Sequence, residues 1–401
     1  MASSINKILL KNGVLLRSDN SNRKDIEVDA NDVQIFDCEE KIVSPGFIST
    51  HHVWQTALKG HAFWRELGGA LEAIDGGTTT VVDHSSLNLG PEYPQTKIEA
   101  LAASGIRALY CYYVPRVIFS WSPLTSQDDY ISPSVLESWK ALTAKGPYRD
   151  ERIQLGFVVD NAKVITSHSA AGLTFGNGPS VVQVLNSHGL LDPDILLSHA
   201  NLPKDGDAGL IAENDVYIST TPNTELQMGW PPIGLLPEFE AHSSLGVDCH
   251  SWGSNFMPSQ MRLGLQYART ERQETLCGQG KAIPMAGEVG QICVGAKVDL
   301  GIFDTNSPSM SMLPAADEDP VAAVVLHSSE RDVETVIVGG VVRKEAGKLL
   351  PVTIVGEDVA RELVDSQKRL NKKADGIDMK AAEVNIIDRF HMNRKGMIEQ
   401  E

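Results

Sequence analysis

The sequence predicts an α/β protein: a (β/α)8 barrel, truncated or distorted in places, with a small β-sandwich built from both chain ends. Three observations carry this reading. From about residue 45 to 284, apolar strand-like runs alternate with helical patterns, as in a parallel sheet buried on both faces. Counted with "VSPGFISTH", the runs number eight, over a length near the roughly 250 residues of such barrels. Polar residues stand at the C-terminal ends of the runs, where barrels carry their chemistry.

Taken in order, residues 1–44 alternate apolar and polar side chains ("INKILLKNGVLL", "DIEVDANDVQIFD") with Asn-Gly and Asp-Asn turn signals, which fits short antiparallel strands. After Gly46 the buried runs are "VSPGFISTH" (43–51), "TTTVVDHSS" (78–86), "IRALYCYYV" (106–114), "IQLGFVVD" (153–160), "KVITSH" (163–168), "DILLSHAN" (194–201), "DVYISTTP" (215–222) and "SLGVDCHS" (244–251). Helical patterns fall at 64–75, 95–104, 133–145, 180–191 and 260–274. Gly76-Gly77 reads as a helix C-cap leading into a strand. From about 285 the short-strand grain returns in "GEVGQICVGAKVDLGIFD" and "VETVIVGGVVRKEAGKLL". The expected organisation is therefore 1–44 plus 285–355 as one composite β domain, 45–284 as the barrel, and 356–401 as a charged helical tail. Solvation is the plain reading of that tail, and a homo-oligomer contact the sharper one. No internal repeat is present.

Composition excludes several classes. Net charge is −17, which argues against nucleic acid or an anionic membrane as a partner. No apolar run approaches the ~20 residues of a membrane span, and "MASSINKILLKNG" is interrupted by Lys too early for a signal peptide. The five cysteines (Cys38, Cys111, Cys249, Cys277, Cys293) have no CxxC spacing, which suits free thiols in the cytoplasm. No GxGxxG or P-loop pattern marks a nucleotide cofactor.

The strand ends bring His51, His84, Asp160, His168, His199, Thr220 and Asp248 to one rim. Imidazoles with one carboxylate suit Zn²⁺ or Fe²⁺. On "PGFISTHHVWQTALKG", "GGTTTVVDHS", "VITSH", "LLSHAN", "STTPNTELQMG", "LGVDCHS" and "VGAKVDLGIFD", the chain resembles the amidohydrolase superfamily. Within it, the likeness is to the cytosine-deaminase and chlorohydrolase-like (ATZ/TRZ-type) metal-dependent hydrolases. The resemblance implies a metal-activated water attacking a C=N or C–X carbon of a small, cyclic substrate. It implies His51, His52, His168 and Asp248 as the ligand positions for one ion, and Asp248 with His199 as the proton-handling pair. Glu225, in "TELQMG", matches a loop residue of that family to which no role is assigned.

The departures are as informative. The family's first motif is His-x-His; here the spacer is gone and His51 and His52 are adjacent. Adjacent strand residues point to opposite faces unless a bulge intervenes, so one imidazole is expected to face inward and the other the surrounding helices. Ala171 stands where a related motif carries a glutamate. Only Asn161 and Ala162 separate the fourth and fifth runs, too few for a normal parallel crossover. The loop after "ALKG" is short, and the helices before the last β segment shrink to "LCGQGKAIPMAG".

For the remaining residues the plainer readings are structural. His84 and Asp83 read as hydrogen-bonding supports, and His250 as a loop residue or a substitute ligand. His61, His188, His242, His327 and His391 read as structural, and Cys249 as a packed thiol. Trp54, Trp230 and Trp252 either line an aromatic pocket or pack the core. Two functions follow. The first is a metal-dependent hydrolase of non-peptide C–N or related bonds. The second is a metal-free lyase, dehydratase or isomerase using His168, His199 and Asp248, with a non-catalytic binding protein as its variant.

Overall fold

The computed structural model describes residues 7–16, 33–54, 61–86, 88, 92–113, 118–121, 124–126, 133–146, 148, 151–157, 165–170, 178–249, 253–271, 292, 296–311, 319–351, 356–376, 378, 380–381 and 384–385. The chain opens with β1 (Lys7–Lys11), β2 (Val14–Leu15), β3 (Val33–Asp37) and β4 (Lys41–Pro45). The antiparallel pairing expected among these strands is corrected: β1 runs parallel to β3, and β2 parallel to β4, because each pairs with a strand beyond its immediate neighbour in the chain. After Gly46 the chain passes directly into β5 (Phe47–Val53), the first stave of the barrel.

The remaining staves are β6 (Thr78–Ser85), β7 (Arg107–Tyr112), β10 (Ile153–Phe157), β11 (Ile165–Ala170), β12 (Ile195–Asn201) and β13 (Tyr217–Thr220), then a two-piece eighth stave, β14 (Ser243–Leu245) and β15 (Asp248–Cys249). A separate hairpin, β8 (Ile118–Trp121) with β9 (Leu124–Ser126), follows β7. All pairings in the barrel sheet are parallel, in the order β14-β13-β12-β11-β10-β7-β6-β5-β15. The split stave closes the cylinder: β14 pairs with β13, and β15 pairs with β5 through Asp248↔His52 and Cys249↔Val53. Among the described residues β10 meets β11 at Phe157↔Ile165; residues 158–164, on which the expected short fourth crossover falls, lie outside the described residues.

Helices cover the staves: α1 (Ala62–Asp75), α2 (Tyr93–Ser104), α3 (Pro133–Lys145), α4 (Val181–Ser187), α5 (Asp207–Glu213), α6 (Pro222–Gln227) and α7 (Met257–Glu271). α1 illustrates why they form. His61 caps its first turn by accepting from the Phe63 N–H, satisfying an otherwise orphaned donor. Its apolar stripe buries Leu67, Ala70, Leu71, Ala73 and Ile74. Gly76 closes the helix, and Gly77 at φ +86° turns the chain toward β6, a conformation a side chain would strain. α5 and α6 have no counterpart among the helical patterns read from the sequence. Each spans two turns or fewer, too short for a period of 3.6 to register.

Strands from the two ends of the chain share one sheet. β16 (Leu300–Asp304), β17 (Val333–Val338), β18 (Val341–Glu345) and β19 (Lys348–Leu349) form a sheet with the N-terminal strands, ordered β19-β18-β17-β16-β4-β2. β16 lies antiparallel to β4 from Leu300↔Pro45 to Asp304↔Lys41. The tail helix α8 (Gly356–Ala374) is not solvated all round. Val359 and Leu363 pack on Leu67 and Leu71 of α1, while Asp358–Arg361 and Asp365–Lys368 pair on its exposed side. The cysteines at 277 and 293, the segment 276–287, Asp160, Ala171, His250, Trp252 and His391 lie outside the described residues.

Candidate metal centre

A bulge in β5 decides where the adjacent histidines go. Against β6, Ser49 pairs with Val81 but His52 pairs with Asp83, so three steps on β5 match two on β6. The extra residue lets two neighbours point the same way. Thr50 and His51 both enter the barrel. Thr50 Oγ1 meets Ser219 Oγ at 2.7 Å and Ser244 Oγ at 2.8 Å, and His51 Nδ1 meets Ser198 Oγ at 2.8 Å. Gly246, at the break in the eighth stave, makes this approach feasible: a Cβ there would lie 2.7 Å from the His51 nitrogen and 2.8 Å from its carbonyl oxygen.

His52 leaves in the opposite direction. Its ring stacks on Trp54 with centroids 3.7 Å apart, and its Nδ1 lies 3.3 Å from Ser49 Oγ. Trp54 in turn presses against Gly69 of α1. The ligand position expected at His52 is therefore corrected: without a spacer, strand alternation carries this imidazole to the helix side. Trp54 is fully buried in the apolar core. Trp230 is half-buried.

The other expected residues converge. Donor nitrogens of His51, His168 and His199 all lie within 4.8 Å of one another. Asp248 joins them, with Oδ1 3.5 Å from His51 Nε2 and Oδ2 3.9 Å from His199 Nε2. His51, His199 and Asp248 are buried, while His168 is accessible at the rim. His199 and Asp248 both hold left-handed backbone, at φ 69° and φ 66°. Such conformations cost on the order of 1–3 kcal/mol and concentrate at functional sites.

Residues beyond this set shape it. Glu225, on α6 and fully buried, faces His199 Nδ1 at 3.2 Å and accepts from Thr220 Oγ1 at 2.6 Å. Thr221 Oγ1 lies 3.1 Å from the same His199 nitrogen. His199 Nδ1 is thereby tied down and Nε2 is turned to Asp248, the arrangement expected of an oriented imidazole. The sequence alone assigns Glu225 no role, because its partner lies in another element 26 residues away. His84 packs edge-on against His168 and His51, at 4.3 Å and 5.2 Å. Behind the strand, Asp83 shares a fully buried layer with Glu66 and Lys97, whose ammonium sits 3.4 Å from Glu66 Oε1.

Electrostatics separate the members. Desolvation, then the Asp248 charge working against it, leaves His51 below the ordinary histidine value. Desolvation and neighbouring imidazoles push His84 and His168 well below it. Burial would also lower His199, but its hydrogen bond to Glu225 and the charges of Asp248 and Glu225 raise it. Burial opposes ionisation of Asp248, yet His51, His199 and His168 outweigh it and hold the carboxyl far below the usual range. His51, His84 and His168 are thus biased to neutral imidazoles and Asp248 to the ionised carboxylate, the protonation states a metal requires of its ligands, while His199 is biased toward its protonated form. His51 Nε2 is buried and makes no hydrogen bond. An unbonded imidazole edge facing a carboxylate and two further imidazoles fits a cation of zinc type.

No family model matches the chain. The 5-methylthioadenosine/S-adenosylhomocysteine deaminase of Acetivibrio thermocellus is 24% identical over 414 residues, covering 86% of this chain and 90% of the relative. The 5'-deoxyadenosine deaminase of Methanobrevibacter smithii is 23% identical over 435 residues, covering 90% and 95%. Among solved structures, atrazine chlorohydrolase TrzN from Arthrobacter aurescens TC1, complexed with zinc, superposes with a TM-score of 0.73 at 16% identity. That match covers 90% of this chain and all of the other. An amidohydrolase from a Sargasso Sea sample superposes at 0.67 with 15% identity, covering 90% and 99%. The solved structures share this chain's fold.

Proposed function

We propose that this chain, a member of the amidohydrolase superfamily, is a metal-dependent hydrolase that deaminates a small, cyclic, amino-bearing substrate. The observation that carries the reading is the convergence of His51, His168, His199 and Asp248 within one rim. His51, His168 and Asp248 hold one ion, zinc in this proposal. When bound, that ion supplies Lewis acidity and lowers the pKa of water.

The chain's own groups handle the protons. Asp248, ionised, accepts a proton from the attacking water and returns it to the departing nitrogen. Water oxygen forms the new bond to the ring carbon, the C–N bond breaks, and ammonia leaves. His199 Nε2 faces the same oxygen pair of Asp248, with Glu225 fixing the ring from behind. The deaminase names of the relatives agree with this chemistry, and nothing in the site favours the metal-free lyase reading. Among the described residues no helix is long and apolar enough to cross a membrane. The thiols of Cys38, Cys111 and Cys249 are free, which suits a cytoplasmic enzyme.

The test is ammonia release from 5'-methylthioadenosine, S-adenosylhomocysteine and 5'-deoxyadenosine, with and without a chelator. The expected result is chelator-sensitive release from at least one of them, abolished in Asp248→Asn with the circular dichroism spectrum unchanged. Near-full rate in Asp248→Asn, or full rate after chelation, contradicts the proposal.

A further inference from the structure

Deleting one residue from the first motif removes an inward imidazole, and the barrel geometry shows what stands in its place. In an unshortened His-x-His pair the second imidazole lies two residues beyond the first, on the same inner face. On β5 that inner position, beyond His51 and past the outward His52, falls to Val53, which carries no donor atom. The β5–β6 ladder fixes the level one strand over. His52 pairs with Asp83, so Val53 is level with His84. β6 runs without a bulge against β7 from Thr80 to Ser85, and alternation sends Asp83 outward to the Glu66–Lys97 layer and His84 inward. The His84 ring lies edge-on to His168 at 4.3 Å and to His51 at 5.2 Å, two residues of the candidate metal set.

We propose that His84 supplies the metal-ligating imidazole that the shortened first motif no longer supplies, so that the set is His51, His84, His168 and Asp248. This rests on the metal-dependent reading above. The ligand role has moved one strand sideways, from β5 to β6, at a constant height in the barrel.

The test uses full-length protein stripped of metal and titrated with Co²⁺ and Zn²⁺ against a chromophoric chelator. For wild type, one equivalent binds and Co²⁺ gives the visible bands of a low-coordinate site. His84→Ala weakens binding by more than about 100-fold, beyond the ~10–100-fold typical of outer-shell partners, and alters the Co²⁺ bands. Val53→His added to His84→Ala recovers affinity, because it returns an inward imidazole at the same level. His52→Ala leaves affinity and spectrum unchanged. If His84→Ala does not fold, His84→Asn, closer in volume, is read the same way. Unchanged Co²⁺ bands with a loss inside the outer-shell range, while His168→Ala abolishes binding, overturns the inference and leaves the hydrolase reading standing. Wild type that takes up no metal overturns both.

Discussion

His51 and His52 differ by one position and lie on opposite sides of a strand, and the chemistry open to each follows from that. His51 reaches Ser198 and Asp248; His52 stacks on Trp54. The titration of the histidines at the candidate site gives a test at this scale. His51, His84 and His168 are lowered in the fold, so in metal-free protein the unfolded chain takes up protons first as pH falls below about 6.5. Their contribution is present above that value and is lost as pH drops toward their folded values. Asp248 acts in the same direction at lower pH: its depressed value means stability present above about 3.9 and lost in stronger acid. His199 is raised and opposes the trend, with stability present below about 6.5 and lost as pH rises through its folded value. Three lowered histidines against one raised predict that Tm of the metal-free protein falls between pH 7 and pH 5, and that His84→Gln makes the fall shallower. A flat profile for wild type over that range contradicts the assignment.

At the scale of elements, the site depends on a bulge in β5 and a break between β14 and β15 that fit against each other. Gly246 is the contact point. Gly246→Ala places a methyl group within 2.9 Å of the His51 backbone and Cβ. Overpacking of this kind costs typically about 1–3 kcal/mol, and the displaced His51 should also weaken metal binding. Gly209, inside α5 with nothing within 4 Å of its Cβ position, is the control. Gly209→Ala should hold or raise stability, by up to ~1 kcal/mol. Denaturant melts of the two variants check the pair, and equal stability would remove Gly246 from the account. The alternation of apolar runs with helical patterns placed β5 to β7, β10 to β13 and most large helices. It could not show the bulge, because an extra residue on one strand is defined only against its neighbour. Nor could it show that the eighth run splits into two strands with different partners.

Across the whole molecule, strand-end chemistry was legible because parallel barrels gather those ends at one rim. Position put His168, His199 and Asp248 among seven strand-end candidates, and the family resemblance singled them out. The roles of Glu225 and His84 could not be read this way, since each depends on a level or a contact set by another element. The hydroxyl layer beneath His51, with Thr50, Ser198, Ser219 and Ser244, was hidden for a similar reason. Ser and Thr in "ITSH", "LLSHAN" and "ISTT" looked like ordinary strand residues until closure turned them inward. Joining the chain ends in one sheet, and docking α8 on α1 through Val359 and Leu363, leaves the rim as the place where buried titratable groups meet the barrel mouth.

The most direct measurement is an anomalous difference map from crystals of the protein, recorded above and below the zinc absorption edge. The account predicts one zinc peak inside the barrel rim, about 2.0–2.1 Å from histidine nitrogens of His51 and His168 and about 2.0–2.2 Å from an Asp248 oxygen. A peak bound instead through His52, or no peak from crystals grown with zinc, would contradict it.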